Sequence, residues 1–158
     1  MSALAATQFE KERGVTQIRV MPGIVHLRLR LPSGSADALP ELRALADANV
    51  PVFLVKLIPD GLSLAVRDSH FARCEALLKQ RERMFVAQPE MALVSVIAGA
   101  MRDLSGIMAE IYEALQNAHV AIRQTGDRYD AVHILVAGSD AEKAREALAT
   151  RFQEWRGP

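Results

Sequence analysis

The sequence predicts an α+β protein built from two copies of a βαββαβ unit, the ferredoxin-like arrangement with a four-stranded antiparallel sheet and both helices on one face. Two observations lead there. Displaced by 70 positions, the chain matches itself without a gap: Ala44–Val52 aligns with Ala114–Ile122, and the same offset brings Asp60 onto Asp130, Val66 onto Val136, Ser69 onto Ser139 and Leu78 onto Leu148. A period this long, present twice, points to a duplicated small domain, because solenoids repeat shorter units more often. Each copy also runs through its apolar patterns in the same order, alternating in strands and spaced by three or four in helices.

In the first copy, Val15–Met21 is β-rich and ends at the turn signal Pro22-Gly23. Ile24–Leu31 then alternates, with Val25, Leu27, Leu29 and Leu31 on one face and His26, Arg28 and Arg30 on the other. Pro32-Ser33-Gly34-Ser35 is a loop. Asp37 is placed to cap the next helix, with Pro40 in its first turn and Leu39, Leu42, Leu45 and Ala46 as its apolar stripe. Val52–Ile58 and Leu62–Val66 form a hairpin around Pro59-Asp60-Gly61. Ser69 caps a second helix that turns Phe71, Cys74, Leu77 and Leu78 inward, and Met84–Ala87 is a further short strand before Gln88-Pro89.

The second copy repeats this order. Leu93–Ala98 is a strand, Gly99–Gly106 a loop, and Asp103 or Ser105 opens a helix carrying Ile107, Met108, Ile111, Tyr112 and Leu115 on one face. Val120–Gln124 and Val132–Val136 form a hairpin around Gly126–Asp130. Ser139-Asp140-Ala141-Glu142 has the form of a capping box, and the helix behind it turns Ala144, Leu148 and Phe152 inward. The expected division is an extension at 1–14, a first module at 15–88 and a second at 89–158.

Composition removes several classes of function. Nineteen Lys and Arg balance nineteen Asp and Glu, so no net field draws nucleic acid or an anionic membrane. Aromatic residues make up 5% of the chain, too few for base-stacking platforms. No apolar run approaches the ~20 residues that span a bilayer. Met1–Arg13 lacks the basic start and apolar core of a signal peptide, so the expected location is cytoplasmic. Cys74 is the single cysteine, which excludes internal disulfides, and it sits on a helix stripe as a small core residue. The four histidines are scattered and none forms an i, i+4 pair with another ligand type, so no metal site is expected; His26 and His133 fall on the outer faces of strands. No nucleophile elbow, phosphate-binding loop or carboxylate pair stands out, and neither a catalytic residue nor a cofactor is assigned.

The second copy resembles a known family. Leu93-Val94-Ser95-Val96-Ile97-Ala98-Gly99-Ala100-Met101-Arg102, Ser105-Gly106-Ile107 and the helix Ala109-Glu110-Ile111-Tyr112-Glu113-Ala114-Leu115 resemble the last ACT domain of aspartate kinases, as does the closing helix from Ala141 to Phe152. Val15-Thr16 and Ile24–Pro32 resemble the start of the first ACT domain in the same tandem. The resemblance runs from about residue 15 to 153, the regulatory region without its kinase domain. It implies ACT modules that bind small amino acids at interfaces between paired domains. It also implies strand exchange, the strand before the first copy completing the second sheet and the strand between the copies completing the first. Departures from the family are Ser105 at a usual proline, Ser35-Ala36 at a usual Pro-Gly pair, Leu57 at a usual glutamine and Ala121 at a usual asparagine.

The ligand candidates follow from residues and resemblance together. Gly99, Met101, Arg102, Asp103, Ser105, Gly106 and Ile107 form a loop running into a helix start, where free amides and the positive dipole end suit a carboxylate. Arg102 adds a charge-assisted bond, and Asp103 suits an α-amino group. The plainer alternative is a strand-to-helix turn with Asp103 or Ser105 as its cap. Ser33 and Ser35 occupy the equivalent loop of the first copy, and flexible turn composition explains them equally well. Gln124, Thr125 and Asp127 end what the resemblance makes an interface strand; Thr125-Gly126-Asp127 is also an ordinary hairpin turn. The expected function is non-catalytic regulation by a small amino acid or similar metabolite, in a homodimer acting on a partner enzyme. The alternative is a dimerisation or docking module whose ligand sites are vestigial. Trp155 is a helix anchor or a partner contact.

Overall fold

The computed structural model describes residues 14–99 and 105–154. Its elements are β1 (Gly14–Arg30), a 3-10 turn (Gly34–Asp37), α1 (Ala38–Asp47), β2 (Phe53–Ile58), β3 (Gly61–Arg67), α2 (Asp68–Gln80), β4 (Met84–Gly99), α3 (Ile107–Asn117), β5 (Gln124–Asp127), β6 (Ala131–Ala137), a second 3-10 turn (Gly138–Asp140) and α4 (Ala141–Glu154). The six strands form one antiparallel sheet in the order β2-β3-β1-β4-β6-β5.

The two long strands are where the expected turns disappear. Pro22-Gly23 and Gln88-Pro89 were expected to end strands, yet β1 and β4 run through both. The β1–β4 register shifts between Met21 and Ile24 and again before His26, while Gly23 and Glu90 take φ of +71° and +57°. The prolines thus sit at irregularities, where a missing N–H removes no needed ladder bond. As a result the first part of β1 pairs with the end of β4 and completes the β4-β6-β5 set, and Met84–Gln88 pairs with His26–Arg30 and completes the β2-β3-β1 set. This is the strand exchange that the resemblance implies.

Each half buries its own core. Val25, Leu27 and Leu29 of β1 with Leu62, Leu64 and Val66 of β3 pack beneath α1 and α2. Val94 and Val96 of β4 with Val132, Ile134 and Val136 of β6 pack beneath α3 and α4. A third cluster joins Ile24 and Ala65 to Met91, Leu93 and Leu135, side chains on the faces that carry no helix. β3 and β5 lie far apart in the strand order, yet the Ser63 hydroxyl donates to Gln124 Oε1 at 2.7 Å. The sheet therefore folds over on itself, bringing the helix-free faces of the two halves together.

The repeat is not gapless. Leu27 faces Leu64 and Val94 faces Ile134, so the leading strands repeat at an offset of 67 while the hairpin strands keep 70. The second half has a loop three residues longer between its leading strand and its first helix. After that loop the copies agree closely: α1 and α3 end alike, with Val50 N–H on Leu45 O and Val120 N–H on Leu115 O, both at 2.9 Å. The residues that follow the caps, Asn49 and His119, sit at φ of +53° and +55°.

Other expectations need correction. Leu39 is 67% exposed and Ala46 is also exposed; α1 buries Leu45 as expected, with Leu42 partly buried, and turns in Ala38 and Glu41 in place of the other two. On α3, Met108 and Tyr112 face outward, and Ala114 joins Ile107, Ile111 and Leu115 inside. β5 covers Gln124–Asp127, so Thr125-Gly126-Asp127 is strand and the turn lies at 128–130. The Asp37 carboxylate accepts the Ser33 N–H at 2.7 Å and makes no cap bond to α1. α2 starts at Asp68, whose carboxylate takes the Ser69 N–H, so Ser69 is not its cap. Ser139 lies in the 3-10 turn before α4, and Glu142 binds the Arg145 guanidinium in place of closing a capping box.

Candidate functional site

The two loops that lead into the first helix of each half differ in what they touch. In the first half, Leu31 N–H donates to Asp60 O at 3.0 Å, tying the loop to the β2–β3 turn. Gly34 sits at φ +61° against that turn, so close that a Cβ there would meet the Pro59 carbonyl oxygen at 2.2 Å. Only glycine permits this approach. The Ser33 amide is spent on Asp37.

In the second half, Gly106 occupies the N-cap position of α3 at φ +85°, and a Cβ there would meet nothing within 4 Å. Among the described residues no side chain caps this helix end. The first N–H groups of a helix lack partners within it, and among the described residues no side chain takes them up here. Beside them is a cavity of about 560 Å³ whose walls include Ile107, Met108, Thr125, Asp127, Arg128 and Tyr129. The structure thus brings the predicted Gly106, Ile107 and Thr125 to one place, with exposed Ser105 next to them and Gly99 ending β4. Met101, Arg102 and Asp103 lie outside the described residues.

Arg128 and Tyr129 are candidate site residues that the sequence reading missed, while Asp127 was expected either to end the interface strand or to lie in a hairpin turn. Gly126–Asp130 was assigned to a hairpin turn, whereas β5 ends at Asp127, three residues beyond the expected strand end, with Arg128 and Tyr129 just after it in the wall. The grouping of Asp127, Arg128 and Asp130 was a visible signal, a charged cluster at the end of a strand otherwise flanked by apolar residues. Arg128 keeps a loose contact with Asp130 at 3.8 Å and stays exposed.

Gln124 is placed differently. It is 8% exposed and serves the contact between halves: its Oε1 accepts from Ser63 Oγ and, at 3.2 Å, from His26 Nε2, and its Nε2 donates to the Leu54 carbonyl. His26 Nε2 also donates to Ser63 Oγ at 2.8 Å, which places the imidazole proton on that nitrogen. Burial pushes the His26 pKa below its ordinary value against the Gln124 bond, with Arg28 and Arg123 adding to the shift. His133, bonded through Nδ1 to Ser95 Oγ at 2.7 Å, is lowered by burial and by Arg128, with Asp130 opposing. Both rings are on the helix-free faces as expected, but half-buried and hydrogen-bonded, not open to solvent.

Next to this network is a larger cleft of about 770 Å³ between the halves, reached by Thr125–Arg128 from one side and by Phe53–Lys56 from the other. β5 is therefore a common wall of both cavities. Among the described residues no group of three or more His, Cys, Asp or Glu is placed to hold a metal ion, and no helix is long and apolar enough to cross a membrane. Cys74 is fully buried, and burial raises its thiol to about 11.

The ACT domain family model matches residues 86–150. The aspartokinase of Corynebacterium efficiens is 25% identical over 137 residues, which is 79% of this chain and 32% of that enzyme. The chain thus spans about a third of the length of that relative. The regulatory subunit of aspartate kinase from Thermus thermophilus, in its ligand-free form, superposes with a TM-score of 0.80 at 15% identity, over 89% of this chain and 99% of that one. A structure of aspartokinase alpha and beta subunits gives 0.80 at 21% identity, over 88% and 99%. The fold is that of the aspartate kinase regulatory region, and residues 86–150 correspond to an ACT domain.

Proposed function

We propose that this chain, similar throughout its fold to aspartate kinase regulatory subunits, is a non-catalytic ACT-type regulator that binds a small amino acid at the open loop before α3. The observation that carries this reading is the asymmetry of the two loops: one is closed by its own hairpin turn, and the other leaves a helix start that no side chain among the described residues caps, beside a cavity of mixed polar and apolar lining. The free amides and the positive end of α3 suit the α-carboxylate. Arg128, and Arg102 from the loop itself, supply cationic donors, while Asp127 and Asp103 suit the α-amino group. The ligand's side chain rests on Ile107 and Met108. Binding favours one placement of β5 relative to the first half, since a ligand shifts conformations only by its differential affinity. The output passes to a partner enzyme, with the chain acting as a cytoplasmic homodimer.

A thermal-melt panel with the twenty amino acids tests this. A ligand at 100 times its dissociation constant adds about 2.7 kcal/mol, several degrees in a chain of this size. One amino acid is expected to raise the midpoint, and Arg102→Ala with Ser105→Ala removes the effect without lowering the unliganded midpoint. A panel with no response rejects the reading.

One observation favours the alternative of a docking module. Met84 and Val86 are 64% and 71% exposed, on a stretch of β4 that pairs only with β1 among the described residues. Such an edge is a template for a further strand. Concentration-dependent dimers that ignore every amino acid are the result this alternative expects.

A further inference from the structure

We propose that the cleft between the two halves is a second small-molecule site, separate from the loop before α3, and that it takes a carboxylate carrying an apolar body. Its volume of about 770 Å³ falls within the ~300–1,000 Å³ of small-ligand pockets. Met21, Phe53 and Leu93 supply apolar surface, and they belong to the helix-free faces of both halves, so a ligand seated there touches the two at once.

The charge on the lining is one-sided. Lys56, Arg67 and Arg128 face a single carboxylate, Asp127, in a chain whose net formal charge is zero. Lys56 and Arg67 form no ion pair among the described residues. Cations left without partners around an apolar floor fit an anion with a hydrophobic tail. His133 adds a polar ring to the lining, its Nδ1 bonded to Ser95 Oγ and its Nε2 in no hydrogen bond among the described residues.

The wall of the cleft is held before any ligand arrives. Leu54 sits at φ +51°, a left-handed conformation unusual for a bulky residue, where the β2–β3 register breaks between Phe53 and Lys56. Two contacts from the second half fix it: Gln124 holds its carbonyl, and Gly126 packs so closely that a Cβ there would meet Leu54 Cδ2 at 2.6 Å. Strain held by its surroundings at a ligand-sized cleft is characteristic of preorganised sites.

The test is a titration of the full chain with 3-phenylpropionate and with its neutral amide, followed by amide-resolved NMR. The proposal expects saturable shifts at Phe53, Arg67, Leu93 and Gly126, with the amide weaker by about tenfold, the loss of one charge-assisted bond. Arg67→Glu or Lys56→Glu, both exposed in the free chain, weakens the acid by at least as much, whereas Arg28→Glu, outside the cleft, leaves it unchanged. Equal affinity for acid and amide, indifference to both cleft substitutions, shifts centred on Ile107 and Met108, or no saturable shift overturns it.

Discussion

The two halves share a fold but differ in the loop before their first helix and in what that helix buries. In the first half the loop closes on its own hairpin turn, with Gly34 against the Pro59 carbonyl. In the second, three more residues precede α3 and Gly106 meets nothing. Beneath the helices, α1 turns Glu41 into the core at 1% exposure, bonded by Arg81 and Arg83, where α3 has Ile111. Arg151, the counterpart of Arg81 at the repeat offset, stays at the surface with Glu110 and Glu113. The first half has put polar contacts into holding itself shut, and the second has kept an ordinary apolar core and an open helix end. In the proposed reading the two halves divide labour, the first as scaffold and the second as receptor.

The largest expected effect separates the two ion clusters. Removing both guanidinium groups with Arg81→Ala and Arg83→Ala leaves the Glu41 carboxylate buried and unpaired, a loss of roughly 3–5 kcal/mol in urea unfolding. Arg151→Ala breaks a surface cluster and is expected to leave the urea midpoint nearly unchanged. Equal losses would erase the distinction.

Next come the two loop glycines. Gly34→Ala drives a methyl group into the Pro59 backbone and must detach the loop, at roughly 2–3 kcal/mol. Gly106→Ala meets only the left-handed penalty, about 1 kcal/mol, and its effect is expected mainly on ligand affinity.

Smaller again is the response to acid. Both imidazoles have folded-state pKa values below the ordinary 6.5, so as pH falls through that value the unfolded chain takes up protons that the folded chain resists. Stability therefore declines below 6.5 until the lower folded values are passed. Burial would raise the Glu41 pKa, but the hydrogen bonds from Arg81 and Arg83 outweigh it and leave it below 4.5, so the stability it confers is present above 4.5 and lost below it. Hydrogen exchange resolved by half is expected to show the lower step at α1 and α2 alone. The Cys74 thiol, equivalent to Ala144 and raised by burial, is expected to react with thiol reagents at pH 8 only as fast as the core opens.

Much of this was legible in the sequence. The stripes of α2 and α4 were read correctly because Cys74 and Leu78, like Ala144 and Leu148, keep strict helical spacing of apolar residues. The stripe of α1 was misread because its inward position is a glutamate, and the arginines that neutralise it lie forty residues further on. Pro22 and Pro89 looked like strand ends; that they sit in paired irregularities depends on which strand lies opposite. The slip from 70 to 67 went unseen because Ala92–Ala98 is apolar on nearly every position and fits either register. The role of Gln124 has no local signal at all, since its partners come from the other half. Of the candidate site, the helix start was legible from glycine and loop chemistry, while the place of Arg128 and Tyr129 in the wall depended on a strand boundary that turn composition concealed.

The most direct test is amide-resolved NMR on the full chain with each amino acid of the panel. The account predicts that one of them shifts Ser105–Met108 and Thr125–Arg128 and leaves Ser33–Asp37 unmoved. Shifts centred on Ser33–Asp37, or none with any of the twenty, would contradict it.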